Sequence, residues 1–485
     1  MSPVLLFSFV IAYFLILLGV AWYTGRNSTN ESFFIGNKSS NWMLVAFGMV
    51  GTSLSGVTFV SVPGAVAKES FAYFQVTLGY LVGYVVIAYV LLPLYYRLNL
   101  TSIYNYLNNR LGFTSYKTGA GFFILSRTLG ATARLYLVVN ILQDAILNSF
   151  NIPFWATTLI ILVMILLYTF EGGVKTIVWT DTLQTTCMLL GLVICVIYIL
   201  SNLHLGLGES LQQMHDKGYS QIFFTNPNSK LFFVKQVLAG AFITITMTGM
   251  DQEMMQKNIS VKTLKDSQKN VISMSIVLMS VILIFLFLGG LLYLYAAQLN
   301  IPATGDKLFP AIALEHMPPF VSVIFIIALI SALFPSADGA ITALTSTFCI
   351  DIIGMQRRTD LTDAQKKKMR QRVHLSFAAI FLVFVMVFKW ISNPSMIGVI
   401  LKVASFTYGP LLGLFTFGIL MRRSVKDKLV PFICIAAPLI CFVMDKYQKE
   451  LFGSFELGLE LLIINGLLTF IGLWLISKPS DAARL

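Results

Sequence analysis

Residues 48–64 read Gly48-Met-Val-Gly-Thr-Ser-Leu-Ser-Gly-Val-Thr-Phe-Val-Ser-Val-Pro-Gly64. This stretch sits inside an apolar segment, yet it carries four glycines, a proline and several hydroxyls. In lipid an unpaired backbone group costs several kcal/mol, so a helix interrupted here must lie inside protein or along a watery cavity. Broken membrane helices present free carbonyls and half-helix ends to a solute near the bilayer midplane. A kinked helix packed closely through small residues is the other reading, and the stretch alone leaves both open.

The rest of the chain supplies the context. Of its 485 residues 57% are hydrophobic and only 12% charged, and the mean hydropathy is +0.79. An average soluble domain carries about twice that charge, so a polytopic membrane protein is expected. The apolar run from Val4 to Trp22 lacks a positive leader and a small-residue cleavage site, which reads as a retained helix. The net charge of +12 is placed in loops, as the positive-inside rule requires, and does not point to nucleic acid. The five cysteines fall within apolar runs, no HExxH is present, and Gly206-Leu-Gly208 reads as a turn. Neither a nucleophile nor a metal cluster supports an enzyme.

About 20 apolar residues are needed per spanning helix. That criterion gives thirteen spans, near 4–24, 42–65, 71–96, 117–147, 152–170, 176–201, 232–252, 270–298, 319–350, 373–392, 396–420, 429–444 and 456–477. Lys257, Lys262, Lys265, Lys269, Arg357, Arg358, Lys366, Lys367, Lys368, Arg370, Arg372, Arg422, Arg423, Lys426 and Lys428 then share one side, expected to be cytoplasmic, with the N-terminus outside and the C-terminus inside. The run Lys366-Lys-Lys-Met-Arg370 fits a solvated topogenic loop, or an acidic-lipid contact. Short loops and compact tails suggest a bacterial inner membrane.

Spans two to six and seven to eleven form two sets of five, and the odd number inverts the second set. The first member of each is unusual: span seven reads Ala241-Phe-Ile-Thr-Ile-Thr-Met-Thr-Gly-Met-Asp251, with three threonines and a glycine. Matching interruptions in two halves point to a transporter site. The expected organisation is an extra helix and loop over 1–41, a first repeat over 42–201, an extracellular loop over 202–231, an inverted repeat over 232–420 and two further helices over 421–485. The fold class is an all-α polytopic membrane protein, with a five-plus-five inverted-repeat core.

Ionisable residues within spans default to functional hypotheses. Arg127 and Asp144 lie toward the ends of span four, where snorkelling accounts for them. Arg134, Asp181, Asp338 and Lys402 lie deeper. In Ala332-Leu-Phe-Pro-Ser-Ala-Asp-Gly-Ala340, Pro335 frees a carbonyl and shares a face with Asp338, with Ser336 about 100° round. Such an all-oxygen cluster suits a hard cation. The alternative is a proline kink with Asp338 paired to Arg134 or Lys402.

Gly172-Gly-Val-Lys-Thr-Ile-Val-Trp-Thr-Asp-Thr-Leu-Gln184 closely matches a signature of the sodium:solute symporter family, and the chain resembles that family over nearly its whole length. Ser53-Leu-Ser-Gly-Val-Thr-Phe59, Asp251-Gln252 with Gln256-Lys257, and Ser405-Phe-Thr-Tyr-Gly-Pro-Leu-Leu-Gly-Leu-Phe415 support the resemblance. Residues 55–64 look closest to the iodide, monocarboxylate and vitamin branch. The resemblance implies a sodium site from Gly51, Leu54, Ala332, Pro335 and Ser336, although Pro335 stands where relatives have a serine. It also implies a second sodium site at Asp181 and Asp338. The solute pocket is expected at Thr58, Thr244, Met247 and Thr248, with Arg134 and Lys402 suited to an anion or to neutralising Asp338 or Asp181. Thr246-Met-Thr248 lacks the tyrosine of the sugar carriers. Sialic acid carriers have an arginine where this chain has Gly130, one turn before Arg134.

The resulting expectation is sodium-coupled uptake of a small organic solute, with sodium, solute and bilayer as the partners. A proton-coupled carrier on the same fold is the alternative, with Asp338 and Asp181 titrating. A channel would need rings of pore-lining residues from repeated subunits, and a transporter-like sensor a signalling domain after the last span.

Overall fold

The computed structural model describes residues 3–25, 33, 40–170, 173–391 and 395–479, excepting the side chains of Gly173 and Lys175. Gly172, at the head of the signature above, lies outside them. In chain order the spanning helices are α1 (Pro3–Gly25), α2 (Trp42–Ser53), α3 (Gly56–Glu69), α4 (Tyr73–Arg97), α5 (Phe113–Ala145), α6 (Phe154–Thr169), α7 (Gly173–Leu203) and α8 (Phe233–Met247). They continue as α9 (Gln252–Ile259), α10 (Leu264–Leu299), α11 (Pro319–Ile352), α12 (Asp363–Trp390), α13 (Met396–Thr407), α14 (Gly409–Leu420), α15 (Asp427–Lys446) and α16 (Leu461–Leu475). Eight of these are long and apolar enough to cross a bilayer singly, three pairs cross around a bend, and α6 and α16 are shorter apolar helices. By length and composition the described residues give up to eleven spans, against the thirteen expected, because α6 and α16 are 16 and 15 residues long.

Large apolar side chains such as Ile16, Tyr89, Leu167, Ile197, Val383 and Phe432 are exposed. Patches of this extent are foreign to a water-soluble monomer and belong against lipid tails. A short helix, Leu207–Asp216, lies on the loop after α7. The single departure from helix among the named elements is a ribbon, β1 (Arg423–Val425) paired antiparallel with β2 (Ser477–Pro479).

Each bend has a local cause, and the second and third have side-chain partners for the carbonyls they free. Between α2 and α3 the axis turns by 54°, where Leu54 (φ −91, ψ 79) and Ser55 (φ −71, ψ 168) leave helical geometry. Between α8 and α9 it turns by 69°. There Asp251 caps α9, its Oδ1 accepting from the Glu253 and Met254 N–H groups at 2.9 and 3.3 Å. The carbonyls of Gly249 and Met250 accept from the hydroxyls of Tyr95 at 2.8 Å and Tyr104 at 2.9 Å.

The third bend, 45° between α13 and α14, was not anticipated, although Gly409-Pro410 carries its signal. Pro410 has no N–H for the Phe406 carbonyl four residues back. Asn465 of α16 supplies the donor instead, its Nδ2 reaching Phe406 O at 2.8 Å and Ser405 O at 3.0 Å.

Pro335 does not bend its helix in this way: α11 continues through it as one element. Close helix approach depends on glycine where α4 crosses α8, since a Cβ at Gly240 would strike the Val76 carbonyl.

Candidate functional site

A cavity of about 110 Å³ lies at the α2–α3 break. Its wall includes Leu54 and Thr58 from the broken span, Arg134 from α5, and Thr244, Met247 and Thr248 from the end of α8. Every one of these was expected near ion or solute. Tyr73, Tyr80 and Tyr84 of α4, Thr52, Ser53 and Ser55 at the break and Arg127 of α5 complete a polar side, and Val57, Ile243, Met254, Leu278, Ile282, Ile397, Ile400 and Leu401 make the remainder apolar. Tyr73 and Tyr80 share a hydroxyl contact of 3.1 Å. The Arg134 guanidinium makes no hydrogen bond or ion pair with another described residue, so its donors face the cavity.

Lys402 is not among the lining residues. Its ammonium pairs with Asp445 of α15 at 2.7 Å, and the side chain is 58% exposed. The expectation that it serves the solute or neutralises Asp338 or Asp181 is therefore corrected. Helical periodicity turns this position of α13 away from the face that Ile397, Ile400 and Leu401 give to the cavity.

Gly51, Leu54, Ala332, Pro335 and Ser336 are all buried. The start of α3 abuts α11, where a Cβ on Gly56 would lie 3.8 Å from Leu329 O and Leu333 Cα. Gly51 faces α7, and a Cβ there would collide with Thr185 Oγ1. Ser336 Oγ donates to Leu333 O at 2.8 Å within its own helix, leaving its oxygen free to accept or coordinate.

Beneath the break is a buried ionic network whose pairings differ from those expected. Asp338 pairs with neither Arg134 nor Lys402: its Oδ2 accepts from the Tyr168 hydroxyl at 2.7 Å, and its Oδ1 from the Gly339 N–H. Asp181 Oδ2 accepts from Lys257 Nζ at 2.7 Å and from Thr52 Oγ1 at 3.1 Å. Lys257, counted above among loop cations, is 3% exposed. Arg127, read as a snorkelling end residue, is 4% exposed. It pairs with Glu253 Oε2 and lies 3.9 Å from Asp251 Oδ2, which also accepts from the Tyr408 hydroxyl at 2.9 Å.

Both corrections share a cause. Helix α9 is buried from Gln252 to Ile259, so its charges turn into the protein instead of marking a loop. Asp251, Gln252, Gln256 and Lys257 stand out as a motif in the sequence, but Glu253 and Tyr168 carry no such mark. The spacing of Glu253 and Lys257, one helical turn apart, is the signal that could have found the pair. Arg370, also counted with the loop cations, is buried and stacks its guanidinium 4.1 Å from the Phe33 ring. Asp144 behaves as expected of a span end: it is exposed and accepts from Asn140 and Asn148. At the head of α13, Asp306 accepts from the Met396 N–H at 2.9 Å, and burial raises its carboxyl above the ordinary carboxylate range.

Two bent helices meeting at a cavity, beside a buried charge network, are the architecture of a secondary transporter. The sodium:solute symporter family profile matches residues 33–427, and the chain belongs to that family. It is 23% identical over 463 residues to the sodium/sialic acid symporter NanT of Aliivibrio fischeri, covering 93% of this chain and 90% of that one. It is 26% identical over 417 residues to the sodium-coupled monocarboxylate transporter 1 of Mus musculus, covering 83% and 66%. A solved sodium-coupled sialic acid symporter in a substrate-bound, outward-open state shares the fold with a TM-score of 0.84, at 19% identity over 98% of this chain and 99% of that one. The protein is thus a sodium-coupled symporter in the membrane, with a LeuT-type core and sodium as its coupling ion, and not an enzyme.

Proposed function

We propose that this symporter carries a small organic acid, a carboxylate with a largely apolar remainder, and that Arg134 binds its anionic group. The observation that carries this reading is the Arg134 guanidinium, unpaired among the described residues, in a cavity where the other lining cation, Arg127, already has Glu253 as its partner. A guanidinium matches a carboxylate in a bidentate fork, and the half-buried Arg134 has its charge turned to the cavity with no carboxylate of the described residues against it. Thr58, Thr244 and Thr248 are placed to orient the rest of the solute. The relatives named above carry sialic acid and monocarboxylates, both of them carboxylates, the monocarboxylates being nearer to the apolar remainder proposed here.

Sodium would sit between the Gly51 and Leu54 carbonyls and the Ala332, Pro335 and Ser336 segment of α11, tying the broken span to it. Ligand and ion together shift the population from outward-open to inward-open states, each by no more than its differential affinity for them. Residues 42–201 and 232–420 form the two repeats in this reading, flanked by 1–41 and 421–485, with 202–231 joining them. The exposed cations Lys262, Lys265, Arg357, Arg358, Lys367, Lys368 and Arg372 support a reading with those loops in the cytoplasm and the N-terminus outside, and the short loops fit a bacterial inner membrane.

The test is sodium-dependent thermal stabilisation and uptake in proteoliposomes, with pyruvate, lactate and sialic acid as probes. Arg134→Gln should cost about 1.5–3 kcal/mol of solute binding, while sodium alone still stabilises the variant. Ser336→Ala should weaken the sodium response. An acid bound equally well by Arg134→Gln would sink the assignment of the anion site.

A further inference from the structure

Lys257 lies outside the solute cavity, yet its ammonium is buried in a shell of hard oxygens. Nζ is 2.7 Å from Asp181 Oδ2, 2.7 Å from Thr52 Oγ1 and 3.6 Å from Glu253 Oε1. Thr52 lies in the last turn before the α2–α3 break, Asp181 on α7, and Glu253 and Lys257 on α9. Carboxylate and hydroxyl donors from separate helices are what a monovalent cation would need between these elements. Here the chain itself provides the cation.

The other carboxylate expected at a second ion site is also engaged, since both oxygens of Asp338 accept hydrogen bonds from Tyr168 and Gly339. Asp181 Oδ1 is the oxygen left without a hydrogen-bond partner. A sodium ion placed there would lie a few ångströms from the Lys257 ammonium. In an interior of low permittivity, that repulsion opposes binding far more than it would in water.

We propose that Lys257 is a tethered cation filling the Asp181 position, so that this symporter binds and couples one sodium ion where a chain with that position open would take two. The proposal rests on the sodium-symport reading above and on the sodium position at the Leu54 break.

Equilibrium binding of radioactive sodium to the purified full-length protein tests it without knowledge of the solute. Wild type should saturate at one sodium per chain with a Hill coefficient near one. Asp181→Asn should keep that site, with Kd moving by no more than about threefold. Lys257→Met should gain a second sodium, and the double variant Lys257→Met/Asp181→Asn should lose it again. Two sodium ions in wild type, one of them lost in Asp181→Asn, would overturn the proposal. So would a folded Lys257→Met protein that still binds one. Should Lys257→Met not fold, Asp181→Asn alone decides: a loss of sodium affinity beyond about tenfold would place sodium on Asp181 and refute the tethered cation. Wild-type protein that binds no sodium would overturn the underlying sodium site as well, which separates the two failures.

Discussion

Arg127 and Arg134 stand seven residues apart on α5, two turns along nearly the same helix face and about 10 Å from each other along the axis. Both border the cavity at the broken span. Arg127 is locked, with Glu253 and Asp251 of the second broken span as its partners. Arg134, two turns away, has no partner among the described residues. One arginine joins the two repeats and the other is left for a ligand. A buried cation that the protein has already neutralised is a structural tie, whereas the half-buried Arg134, facing the cavity without a partner among the described residues, is the group proposed above to meet the solute.

The contrast can be broken experimentally, beginning with the larger effect. Arg127→Met should destabilise the folded protein by about 3–5 kcal/mol, because it removes the guanidinium facing two buried carboxylates. A thermal unfolding curve in sodium would show this, and a near-wild-type midpoint would remove Arg127 from its structural role. Asn465→Ala should cost about 1–3 kcal/mol by leaving the Ser405 and Phe406 carbonyls without a donor at the third bend, read in the same assay.

Arg134→Gln sharpens the comparison from the other side. Its unfolding midpoint without solute should fall no further than that of a mild surface variant, while solute-induced stabilisation disappears. The smallest effect belongs to Lys402→Gln. That ion pair with Asp445 is largely exposed on the lysine side, so its loss should cost about 0–1 kcal/mol and leave solute affinity unchanged. A marked loss of uptake in Lys402→Gln would reopen its role in the solute pathway.

Much of this site is legible in the chain. Two interrupted segments and a misplaced charge bring Thr58, Thr244, Met247, Thr248 and Arg134 together, and all of them line one cavity. Glycines, hydroxyls and a proline inside an apolar run mark the break at Leu54, because freed backbone groups survive at membrane depth only where protein or water meets them. The bend at Gly409-Pro410 carries an equally local signal. Its partner, Asn465, lies 55 residues beyond Pro410 and cannot be assigned from spacing.

Hydropathy, charge placement and the two matching interruptions by themselves determined the membrane class, the succession of apolar helices and the pair of broken helices. Those properties are set by each segment's own transfer energy and backbone requirements, which local composition encodes. Only the tertiary structure decided which charge meets which. It turned α9 inward, gave Lys257 to Asp181 and Tyr168 to Asp338, sent Lys402 to Asp445 and left Arg134 open. Ion pairs depend on distances between helices far apart in the chain, and a Coulomb energy that changes severalfold with burial cannot be read from the residue type that carries the charge.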